Sequence, residues 1–62
     1  MTNEELIATA EVAMLKADKA GKNTVDLQRA INTMQYCIKI GGDISVNMAR
    51  SVLLTEIEEL KG

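Results

Sequence analysis

Apolar residues recur every three or four positions through almost the whole chain, in three runs that break at glycine. At about 100° per residue each run gathers into one stripe, the signature of a helix with one buried side. The first stripe holds Leu6, Ile7, Ala10, Ala13, Met14, Ala17 and Ala20, the second Leu27, Ala30, Ile31, Met34, Cys37 and Ile38, the third Val46, Ala49, Leu53, Ile57 and Leu60. The pattern predicts an all-α fold of three short helices, over about 3–20, 24–40 and 44–61. Short connections suit a helical hairpin with a third helix folded back, or a small three-helix bundle, within a single helical domain spanning 1–62. The alanines of the first stripe form a smooth ridge that lets a neighbouring helix approach closely.

The breaks carry end signals. Thr2 followed by Glu5 is a capping box, in which each side chain satisfies a free backbone N–H of the first turn. Gly21 suits a left-handed helix end, Asn23 or Thr24 can cap the second helix, and Asp26 favours its positive N-terminus. Gly41 ends that helix, and Asp43 or Ser45 is expected to cap the third. Proline is absent, and the four glycines, at 21, 41, 42 and 62, all fall where helices should stop. The stretch "IKIGGDISVN" therefore reads as a corner. A phosphate-binding glycine loop needs a preceding strand and a G-x-G-x-x-G or G-x-x-x-x-G-K-[ST] spacing, and neither is present.

Several large apolar residues lie off the stripes. Val12 and Leu15 share a side with Glu11, Lys16 and Lys19; Val25, Tyr36 and Ile40 line up opposite the second stripe with Arg29 between them; Met48 and Val52 flank the third stripe on one side and Leu54 on the other. Such residues either fill the edges of a small irregular bundle or form a second surface that another polypeptide covers. Their recurrence on all three helices favours the second reading. Tyr and Arg on one face add to it, because both are enriched among residues that dominate binding energy.

Length strengthens the expectation of self-association. A core built from 62 residues is marginally stabilising, so a disulfide, a metal or another copy is usually needed. Cys37 is the single cysteine and there is no histidine, so one chain can form neither an internal bridge nor a zinc site. Hydrophobic residues make up 47% while Tyr36 is the sole aromatic, so the core must be aliphatic and methionine-filled. The net charge of −2 and the scatter of the seven basic residues point away from nucleic acid, whose phosphates demand a basic stripe. No signal peptide or membrane-spanning run is visible, and with one unpaired cysteine this suggests a cytoplasmic setting.

Candidate chemistry is thin. From Asp18, "DKAGKNTVDLQ" resembles a calcium loop, but Ala20 and Lys22 stand where oxygen ligands belong and Arg29 replaces the closing glutamate. "AGKNT" places Asn23 where a phosphate loop needs Ser or Thr. Glu56, Glu58 and Glu59 point in different directions around their helix, and a nucleophilic Cys37 would lack a base. A DNA-reading third helix would present Arg50 as its one cation beside an acidic end.

No catalytic, cofactor or metal site is expected, and the chain is expected not to be an enzyme. The expected function is a non-catalytic, self-associating interaction protein, a small regulator, adaptor or inhibitor of the kind phages and plasmids encode as accessory proteins. Val12, Leu15, Arg29, Tyr36, Ile40, Met48 and Val52 are its candidate self-association or partner contacts. The alternative is capture of a small anionic ligand at an oligomer interface by Arg29, Lys39 and Arg50, with a DNA-binding regulator behind it.

Overall fold

Three helices, α1 (Asn3–Lys19), α2 (Val25–Ile40) and α3 (Asp43–Lys61), pack as a three-helix bundle of 34 × 20 × 17 Å in the computed structural model, which describes residues 2–61. The helices run up, down and up. The start of α1 lies beside the first turns of α3, where Arg50 Nη1 donates to Asn3 Oδ1 at 2.6 Å. At the other end, Lys22 Nζ reaches from the α1–α2 corner to the Leu60 carbonyl at 2.9 Å and satisfies one of the free carbonyls of the last turn of α3.

The ends follow the local chemistry closely. Thr2 N donates to Glu5 Oε1 at 3.2 Å and Glu5 N to Thr2 Oγ1 at 3.1 Å, the reciprocal bonds of the capping box. At the end of α1, Lys22 N donates to the Ala17 carbonyl and Gly21 N to that of Asp18. These two bonds make a Schellman turn, which requires the left-handed backbone that Gly21 supplies at φ 76°. Thr24 occupies the N-cap of α2 without a side-chain cap bond; Asn23 Oδ1 instead accepts from Val25 N, while the Thr24 hydroxyl donates to Asp18 Oδ1 across the corner. Gly41 closes α2 at φ 85°.

The third helix corrects one expectation. Its first intrahelical bond runs from Val46 N to the Gly42 carbonyl, so Gly42 holds the capping position and neither Asp43 nor Ser45 does. Asp43 is already helical and acts on the helix dipole from the first turn. Gly62 lies outside the described residues.

Nine buried residues form one contiguous core: Leu6 and Ala10 from α1, Leu27, Ala30, Ile31 and Met34 from α2, and Ala49, Leu53 and Ile57 from α3. Ile7, Ala13, Met14, Cys37 and Leu60 pack against its margin. All of these belong to the three stripes. Of the stripe residues, Ala20 and Ile38 are exposed: Ala20 is the C-cap beyond the last turn of α1, and Ile38, 39% exposed, lies in the last turn of α2 beside a depression it shares with Asn3 and Asp43. No polar side chain is buried among the described residues, so packing of apolar surface holds the bundle together. Ala10 and Ala17 are the buried ridge that draws α1 close.

Candidate functional site

Ten large hydrophobic residues are exposed among those described, against six that are buried. Val12, Leu15, Tyr36, Ile40, Met48 and Val52 are each more than half exposed, and Val25 and Leu54 close to it. Irregular edge-packing of the bundle does not absorb them. Ile44 joins them at 79%. It escaped the sequence reading because it sits in the first turn of α3, ahead of the stripe; its spacing of four to Met48 and eight to Val52 was the available signal.

These side chains fall on two sides of the molecule. On α1, Val12 borders a groove of about 330 Å³ between α1 and α3 that also takes in Ala13, Lys16, Lys22, Ile57 and Leu60; Leu15 points away from the core. The larger gathering is on the α2–α3 side. Val25, Arg29, Thr33, Tyr36 and Ile40 share one arc of α2, and Ile44, Met48 and Val52 the matching arc of α3. A groove of about 440 Å³ runs between the two arcs, floored by Ala30 and Ala49 and walled by Arg29, Thr33, Met48 and Val52. Ile40 and Ile44 flank the Gly41–Gly42 corner and continue the apolar strip around the end of the bundle.

Charge is unevenly placed along this side. Asp26, Arg29 and Glu56 line the end of the groove far from the corner. Glu56 is half-buried, and that burial, then the neighbouring Glu59 carboxylate, then Asp26, hold its carboxyl above the ordinary carboxylate value. Arg29 is exposed and makes no hydrogen bond or ion pair among the described residues.

The three cations considered for anion capture are apart in one chain. Arg29 is on the α2–α3 groove, and half-buried Arg50 is bonded to Asn3 in a shallow depression with Asp43 and Asn47. Lys39 is exposed on α2, outside both grooves. Cys37 is half-buried against the core margin. Among the described residues no three carboxylates or thiols converge to hold a metal, and no helix is long and apolar enough to cross a membrane. No protein-family model, curated protein or solved structure matches the chain.

Proposed function

We propose that this chain is a non-catalytic interaction protein, a small regulator, adaptor or inhibitor that works by covering its exposed helix faces with other polypeptide, its own copies included. One observation carries the reading: the bundle completes an apolar core and still exposes ten large hydrophobics, six of them along the α2–α3 side. Scattered exposed apolar residues are ordinary, but a continuous strip rimmed by charge is the composition of a binding surface. Burying Tyr36, Ile40 and Met48 on a partner is worth about 1.5–3 kcal/mol each, together of the same order as the freedom lost on association. A role among the accessory proteins of phages or plasmids fits this size and chemistry.

The test places a photo-crosslinking residue at Tyr36 or at Val12 in cells that make the protein. The expected result is a discrete adduct with a polypeptide, lost from the Tyr36 position when Ile40→Asp is added while helical circular dichroism is unchanged. Absence of any polypeptide adduct at both positions overturns the reading.

A further inference from the structure

We propose that a second copy of this chain docks on the α2–α3 side about a two-fold axis parallel to the helices, so that α2 of each copy lies against α3 of the other. This deepens the interaction reading by naming the occupant of its main surface.

The argument is one of self-complementarity. Because α2 and α3 form an antiparallel hairpin closed at Gly41–Gly42, residues of the two helices at equal distance from the corner lie level with one another. Ile40 is level with Ile44, Tyr36 with Met48, and Arg29 with Thr55 and its neighbour Glu56. A two-fold axis along the helices exchanges α2 for α3 and keeps each level. It therefore sets Ile40 and Tyr36 of one copy against Ile44 and Met48 of the other, apolar against apolar. In the same operation Arg29 of each copy meets Glu56 of the other.

Each copy thereby supplies what the other lacks. Among the described residues Arg29 makes no hydrogen bond or ion pair, and Glu56 is half-buried near Glu59 and Asp26 with no cation bonded to it. The end-over-end alternative, with the axis in the plane of this side but crossing the helices, would press Arg29 and Glu56 onto the apolar Ile40–Ile44 corner and strip them of water without a partner, which is costly. An anionic bilayer is disfavoured by the acids at the far end of the groove and by a net charge of −2. Isologous pairing of this kind closes on itself, and two α2–α3 hairpins face to face make a four-helix layer with α1 outside.

The experiment is a charge-exchange cycle on the full chain, followed by sedimentation equilibrium over a range of concentrations. The wild type is expected to dimerise. Arg29→Glu alone and Glu56→Arg alone each place like charges across the axis and should weaken the dimer by about tenfold or more. Mixing the two variants regenerates both opposite-charge contacts in the heterodimer and should restore wild-type affinity. Met48→Asp, at a position 67% exposed and so harmless to the fold, should leave a helical monomer.

A wild type that stays monomeric at all concentrations overturns the inference, and so does a dimer in which mixing restores nothing or Met48→Asp changes nothing. Those results leave the interaction reading standing if crosslinks to other proteins form. Conversely, a dimer that obeys the cycle while crosslinking captures no polypeptide but the chain itself keeps this inference and removes the partner-binding role.

Discussion

Glu56 sits where its surroundings disfavour the charged carboxylate. Its carboxyl is held above the ordinary 4.5 by partial burial first, then by Glu59 and Asp26, so the folded chain binds that proton more tightly than the unfolded chain does. In the interval between 4.5 and the raised folded value the native state carries the extra proton, and stability must fall as pH rises through it. Glu56→Gln is therefore expected to stabilise the single copy at neutral pH and to flatten that decline. Urea melts at low protein concentration on both sides of the interval check it. The two glycines of the corner separate just as sharply. Gly41 sits at φ 85° with nothing near a would-be Cβ, so Gly41→Ala meets only backbone strain and should cost about 1–2 kcal/mol. Gly42 has no such φ, and a Cβ there meets Ser45 at an ordinary 3.5 Å. Gly42→Ser supplies a cap oxygen in place of hydrogen and should gain a few tenths of a kcal/mol, visible in paired thermal melts.

Among the elements, the helices were legible because their signals agree. A 3.6-residue apolar period, a capping box and glycine at left-handed ends all point to the same boundaries, and each helix lies within a residue of the expected span at either end. What was not legible has a physical cause in each case. A glycine N-cap works through its carbonyl, which every residue has, so Gly42 leaves no side-chain mark and the nearby Asp43 and Ser45 drew the assignment. Ile38 has the right angle for burial, but the neighbouring helices do not extend over it, a fact of tertiary packing that periodicity does not contain. The candidate surface was visible as residues and hidden as geometry. Angles placed Val12 and Leu15 on one helix and Tyr36 on another, yet only the packed bundle joins α2 to α3 across a groove and leaves α1 on a separate side. The same division predicts different costs. Thr2→Ala removes one cap bond at an exposed end and should cost about 1 kcal/mol. Leu53→Ala, at a position of no exposure in the middle of α3, opens a cavity against α2 and should cost about 2–5 kcal/mol, most of what a domain this small has. Urea denaturation of the two variants orders them.

For the whole molecule, the balance between buried and exposed apolar surface makes stability a question of concentration. A bundle whose core is largely alanine, leucine, isoleucine and one methionine has little reserve, and its α2–α3 side still faces water. If copies pair there, association favours the folded chain by mass action, because the unfolded chain has no such surface. Above the dissociation constant each tenfold rise in concentration then adds about 1.4 kcal/mol per dimer. Shared between two chains of 62 residues, that increment raises the melting temperature by roughly a few degrees per decade of concentration. Scanning calorimetry at widely spaced concentrations should show this climb in the wild type and a flat line in Met48→Asp, whose own core is untouched. A wild-type melting temperature independent of concentration would mean that the exposed strip stays wet between copies, and the apolar residues along α2 and α3 would then have to be kept for a different protein.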